Sequence, residues 1–242
     1  MTAAKFAKGR RHSWRGAAGL LGEILVTLGV VVGLFAVWQL VWTDVIADGE
    51  QAAVVANLTE YFAGDVEDKD ASRITPNQES EAGTQPEGAF AIVHIPRFGT
   101  DYARPLFTGV TREILMQGIG HYPATVLPGE VGNFSMAGHR TTYGKPFSKI
   151  AQLRRGDHII VETATDFFVY EITDYEVVLP TQTAVVLPVP NRVGVKPTQA
   201  LLTMTSCHPE FSSRLRYVQH GRLLSTYTRA EGIPAELLKV KD

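Results

Sequence analysis

Nineteen consecutive residues, Ile24 to Trp42, carry no charge, and most are Leu, Val, Phe or Trp. At 1.5 Å of rise per residue, a helix of that length spans about 28 Å, close to one hydrocarbon core. Glu23 stands at the near end, where the interface hydrates it, and Trp38 and Trp42 stand near the far end, as an aromatic belt does. No small-x-small site follows the run, so 23–42 reads as an uncleaved transmembrane signal-anchor rather than a cleaved signal peptide. Residues 1–22 hold Lys5, Lys8, Arg10, Arg11 and Arg15 and no acid. The positive-inside rule makes them a cytoplasmic tail and puts everything after residue 42 outside, in a single-pass membrane protein.

Beyond the run the pattern changes. Residues 43–88 hold eleven acids and two bases. Val45, Ala52, Val55, Leu58 and Phe62 permit a helix over 45–62. From 63 to 88 there is little to bury, and the composition reads as a self-repelling acidic stalk or linker. The abrupt shift near Ala89 predicts a separate folded domain, 89–242, whose function does not need residues 43–82.

From Ala89 onward the pattern is that of strands. Phe90 to Pro96 is apolar and β-branched, and Asn133 to His139 alternates. Residues 158–163 and 167–178 read as a hairpin turning at Ala164–Asp166, and 201–205 and 215–224 supply two more strands. Apolar residues recur at helical spacing over Arg112–Gly118 and Pro146–Leu153, which predicts two short helices. The fold class is all-β, one domain, a barrel. Residues 89–242 hold sixteen bases and thirteen acids, a balance that gives no field for nucleic acid. The chain has no internal repeat, no glycine-rich phosphate loop and no metal-ligand spacing, so neither a cofactor nor a metal is expected.

One cysteine remains, Cys207, at the C-terminal end of the strand 200–205. A lone cysteine facing an oxidising exterior forms no intramolecular disulfide, so it is either an inert core thiol or a reactive one. A reactive thiol wants a base or a cation beside it. Seven histidines compete. His12 is on the cytoplasmic side, His94 lies inside an apolar strand, His158 opens a strand beside Asp157 and reads as surface, and His220 is uncommitted. His208 adjoins Cys207, and neighbours on an extended chain point opposite ways. His121 sits at a turn and could line a cleft. His139 follows a strand and small residues and precedes an open loop with Gly144 and Pro146, which delivers an imidazole at a strand end. Alone it reads more readily as a turn histidine. Arg214 and Arg216 follow the cysteine and, if strand, share a face. They are either a solvated face or anion stabilisers, and spacing does not choose.

Taken together, these pieces resemble the sortases, membrane-anchored cysteine transpeptidases of Gram-positive bacteria. Residues 201–207 are similar to the sortase cysteine strand, with Ser206 inserted relative to its commonest form. Gly138–His139 is similar to the sortase Gly-His motif, and Arg216, followed by Tyr217 and Val218, to the sortase arginine. Finer features, residues 120–123, 127–133, 137–147 and 206–209, look like class E, the housekeeping-type enzyme of many actinobacteria. The lid and C-terminal apolar helix usual in the pilin-polymerising class C are missing.

The resemblance implies an eight-stranded β-barrel with the site at one end. Cys207 would be the nucleophile, His139 its acid–base partner and Arg216 the oxyanion stabiliser. Tyr122, Thr205 and Arg214 would contact substrate, with Tyr122 reading the second position of the sorting signal. The reaction implied is cleavage of a C-terminal Leu-Ala-x-Thr-Gly or Leu-Pro-x-Thr-Gly signal between Thr and Gly. The acyl group would pass through a thioester to an amine of a peptidoglycan precursor. The partners implied are secreted proteins carrying that signal, the precursor amine, and membrane lipid around the anchor. Two alternatives stay open: a hydrolytic cysteine peptidase, and a non-catalytic anchored domain that binds the wall.

Overall fold

The computed structural model describes residues 13–64 and 88–233, together with residue 238. Lys5, Lys8, Arg10 and Arg11 of the tail, and 65–87 of the acidic stretch, lie outside the described residues. The chain divides into two units, 1–42 and 43–242. Helix α1 runs from Ser13 to Ala63. In the first unit it holds a stretch long and apolar enough to cross a membrane, Gly16–Trp38, with a mean hydropathy of 2.4. Leu, Val and Ile side chains there are more than half exposed all round the helix, which suits a lipid surrounding rather than a core.

The second unit is a closed barrel in the order β1-β2-β3-β4-β7-β8-β6-β5. Its strands are β1 (Ala89–His94), β2 (Ala103–Thr108), β3 (Ile119–His121), β4 (Gly132–Ala137), β5 (His158–Glu162), β6 (Asp166–Val178), β7 (Ala200–His208) and β8 (Leu215–Thr228). Alternation builds the interior: Phe134 and Met136 of β4, Leu202 and Met204 of β7, Ile159 and Val161 of β5, and Tyr170 and Ile172 of β6 all point inward. Gln219 of β8 also points inward and stays satisfied, its amide donating to the carbonyls of Ile150 and Leu153. Two neighbouring pairs are parallel, β2 with β3 and β4 with β7. A parallel pair needs a crossover. Helix α2 (Arg112–Gln117) makes the first, and the whole β5–β6 hairpin lies within the second.

Patterning missed β2, whose run is broken by Arg104 and Pro105, and β3, which has three residues. The helix expected over Pro146–Leu153 is a series of turns ending in a 3-10 turn, Ile150–Gln152. Phe147, Ile150 and Leu153 are all buried. A spacing of three serves a 3-10 turn as well as an α-helix. Residues 45–62 are helical within α1, but they are no free stalk. Leu58 and Phe62 are buried against Ala89, Ile92, Phe107 and Ala164 of the barrel.

Gly120 of β3 marks a close approach of two backbones. A Cβ there would sit 2.2 Å from the carbonyl oxygen of Gly109. Gly120→Ala should therefore act as overpacking and destabilise the barrel by about 1–3 kcal/mol in urea unfolding. A variant as stable as wild type would show that β3 moves freely.

Candidate active site

The site is built on β7. Its parallel partner β4 pairs Met136 with Met204 and Ala137 with Thr205. Beyond the strand, the Gly138 amide donates to the Thr205 carbonyl at 3.2 Å. The Ser206 hydroxyl donates to the Gly138 carbonyl at 2.8 Å. The residue after Gly138, His139, therefore leaves β4 at the end of β7 that carries Cys207. On the other side of β7 the antiparallel partner β8 pairs Cys207 directly with Arg216. Adjacent strands lie about 4.8 Å apart, and directly opposed side chains share a face.

Inside–outside alternation fixes which face. Met204 of β7, Met136 of β4 and Tyr217 of β8 belong to the core, so Cys207, His139 and Arg216 belong to the outer face. Gly138 takes an inward position where a Cβ would meet the Phe147 ring at 2.8 Å. Phe147 is fully buried, so the residue before His139 has no room for a side chain. Cys207 is half-buried, at the rim rather than in the core.

His139 is held from its own loop. The Phe147 amide donates to the His139 carbonyl at 2.9 Å, and the Tyr143 ring lies 5.1 Å from the imidazole. The Nε2 of His139 is buried and makes no hydrogen bond. A buried polar atom of that kind is uncommon and asks for a role. Burial first, and the positive charge of Arg112 second, hold its pKa below the ordinary histidine value.

Arg216 donates from one guanidinium nitrogen to the carbonyls of Ser213 and Leu215, which fixes its head at the start of β8. Arg214 lies in the loop ahead of β8 and is exposed, so the shared strand face expected for the two arginines does not form. Thr205 is buried on the outer face, two residues before Cys207, and its hydroxyl lies 2.9 Å from the Tyr122 hydroxyl. The connector from β6 to β7 covers this face further down. Asn133 donates to the carbonyls of Val185 and Leu187, and Thr203 reaches Asn133 and Val185.

The other described histidines have structural partners. His94 pairs with Glu162, and His220 with Glu176 and Thr203. His121 lines no cleft: it is buried, with Nε2 against the Val126 carbonyl. His158, expected at the surface, is buried at the start of β5. His208 points to the inner side of β7, where Arg140 donates to its Nδ1 at 3.0 Å.

Arg140 is the residue that patterning did not assign. Its side chain is buried, donates to the Cys207 carbonyl at 3.2 Å, pairs with Glu210 and lies over the Tyr217 ring. It ties the histidine loop to the cysteine strand from behind. Its place directly after His139 was the available signal.

Cys207 and Arg216 pair across β7 and β8 at one end of the closed barrel, and His139 follows the adjoining end of β4. A family model described as Sortase domain matches residues 93–224, and the chain belongs to the sortase family. Sortase SrtE1 of Streptomyces coelicolor is 34% identical over 230 residues, which span 92% of this chain and 61% of that protein. Sortase SrtE2 of the same organism is 32% identical over 232 residues, 90% of this chain and 88% of its own. The crystal structure of sortase E1 from S. coelicolor with a tripeptide in the active site superposes with a TM-score of 0.57. It is 35% identical and covers 64% of this chain and 99% of its own.

The causes acting on His139 give a direct check. With its pKa lowered, the imidazole is neutral at neutral pH and takes a proton only below the ordinary value of about 6.5. Arg112→Ala removes one cause, so the His139 titration followed by NMR should move upward, toward that value. Burial should keep it from reaching it. A downward or absent shift would show that Arg112 does not act on this ring.

Proposed function

We propose that this chain is a membrane-anchored cysteine transpeptidase acting on C-terminal sorting signals outside the cell. The observation that supports it is the β7–β8 register, which pairs Cys207 with Arg216, together with the parallel β4, which leads His139 to the same end of β7. The Cys207 thiolate attacks the threonine carbonyl of the signal. The oxygen becomes an oxyanion, which the fixed guanidinium of Arg216 stabilises as its charge develops. His139 gives its proton to the leaving amine, the C–N bond breaks, and a thioester remains. An acceptor amine then attacks the thioester, returns a proton to His139 and expels the thiolate. The acceptor is the amine of a peptidoglycan precursor.

The lowered pKa of His139 bears on the rate. Protonating the leaving group needs imidazolium beside thiolate, and at neutral pH a depressed imidazole supplies that form in a minority of molecules.

Tyr122 and Thr205 sit on the same face as Cys207, one pleat away. They form the floor on which the signal lies, and Tyr122 reads its second residue, favouring Leu-Ala-x-Thr-Gly. The tripeptide in the active site of sortase E1 from S. coelicolor supports a peptide ligand here. The span Gly16–Trp38 anchors the chain, with the basic tail cytoplasmic and the barrel outside.

The test uses the full-length chain in detergent, a Leu-Ala-x-Thr-Gly peptide and an added amine, with products read by mass spectrometry. The expected product joins threonine to the amine. Cys207→Ala should fold and make none, and His139→Ala should lose at least 10²- to 10⁴-fold. His208→Ala, whose ring faces away from the thiol, should lose less. Release by water alone, unaffected by amine, would make the chain a hydrolytic peptidase. No product, with Cys207 silent to thiol reagents, would make it a binding domain.

The two arginines separate by role. At saturating peptide, Arg216→Ala should lower turnover by about 10²- to 10³-fold. Arg216→Lys should stay well below wild type, because lysine keeps the charge but not the planar fork. Arg214→Ala should weaken peptide affinity chiefly. Wild-type turnover in Arg216→Ala with collapse in Arg214→Ala would reverse the assignment.

A further inference from the structure

The loop from His139 to Phe147 is held in a conformation it would not choose alone. Tyr143, Gly144 and Lys145 have φ of 55°, 70° and 36°. Positive φ at two non-glycine residues is costly and persists only where the surroundings impose it. Tyr143, one of the two, is the residue whose ring lies against His139.

The C-terminal part of α1 is what imposes it. Gln51 is 1% exposed, and its amide donates to the Tyr143 carbonyl at 3.0 Å. Asp44 pairs with Lys145 at 2.8 Å, and Asp48 with Arg104 at 2.8 Å. A Cβ on Gly144 would come within 2.8 Å of the Gln51 amide nitrogen and 3.1 Å of an Asp48 oxygen. Residues 44, 48 and 51 follow the helical spacing of one face, so a single stripe grips the loop. The buried Leu58 and Phe62 anchor the same helix to the barrel.

We infer that Gln51, with Asp44 and Asp48 beside it, is a positioning residue: it fixes Tyr143 so that its ring holds His139 at Cys207. This rests on the reading of His139 as the acid–base group. It runs against the expectation that the chemistry does not need residues 43–82. The acidic face of α1 here clamps the histidine loop instead of spacing the barrel from a membrane.

The test is Gln51→Leu in the full-length chain in detergent, which keeps the bulk and removes the amide donor. Turnover at saturating peptide should fall about tenfold, since a small displacement of a catalytic group costs that much or more. KM should stay within twofold. The His139 titration, followed by NMR, should move toward that of free imidazole as the ring becomes hydrated. The other titratable groups on the elements about His139 include Arg112 of α2, Cys207 and His208 of β7, Arg216 of β8, Arg140, Tyr143 and Lys145 of its own loop, and Asp44 and Asp48 of α1. None is altered by the substitution. Combined with His139→Ala, Gln51→Leu should add no further loss. If Gln51→Leu fails to fold, Asp44→Asn, at the rim of the clamp, should lower turnover about threefold with the same shift in titration. Wild-type turnover and an unmoved titration in a folded variant would overturn the inference. If His139→Ala itself were fully active, the reading of the site would fall instead, and the two failures are told apart.

Discussion

Everything at the rim depends on β7 lying between a parallel partner and an antiparallel one. Backbone hydrogen bonds fix both registers, with β4 running alongside from Gly132 to Ala137 and β8 running back from Leu215. A parallel neighbour ends where β7 ends, and an antiparallel neighbour begins there. Cys207 and Arg216 thus face each other across β7 and β8, and β4, far away in sequence, brings His139 to the same end of the barrel. A slip of one residue in either pairing would turn one of them into the core. The packed interior of Phe134, Met136, Leu202, Met204 and Tyr217 resists that slip, so the hydrophobic core guards the alignment of the site.

The two sides of β7 divide the labour. The outer side of β7 carries Cys207 opposite Arg216, and the bonded Tyr122 and Thr205 hydroxyls. Toward the inner side Arg140 is buried, bonded to the Cys207 carbonyl and the His208 ring, and ties the histidine loop to the cysteine strand. A charge in that position loses solvation and so must keep its partners. The loop is held a second time by α1 through Gln51 and Asp44. His139 therefore stands between two restraints, one from the strand and one from the helix.

Much of this was legible in the chain because single residues carried it. The β-branched alternation of 158–178 and 200–224 marks long strands, and the strand-end thiol, Gly138–His139 and the arginine after the cysteine carry the resemblance to the sortases. What was not legible depends on distant partners. β3 is a strand only because β2 and β4 flank it. His121 looks like a turn residue able to line a cleft, and His158 like a surface residue, until the barrel closes over them. Arg140 finds a carbonyl 67 positions away, and Gln51 one 92 positions away. In sequence, Asp44, Asp48 and Gln51 are only part of the acidic stretch that follows the apolar run. Only the folded loop shows that the face is occupied. Arg214 is the converse: spacing put it on the strand with Arg216, and the turn ahead of β8 takes it off.

The central claim is that the thiol set between His139 and Arg216 takes the acyl group. Trapping the intermediate tests it most directly. Full-length protein mixed briefly with a Leu-Ala-x-Thr-Gly peptide and no amine is quenched in acid and mapped by mass spectrometry. The account predicts an adduct carrying the peptide up to its threonine, on Cys207 alone, released by hydroxylamine as a thioester is. Cleavage of the peptide with no adduct on Cys207, or cleavage that survives Cys207→Ala, would contradict it.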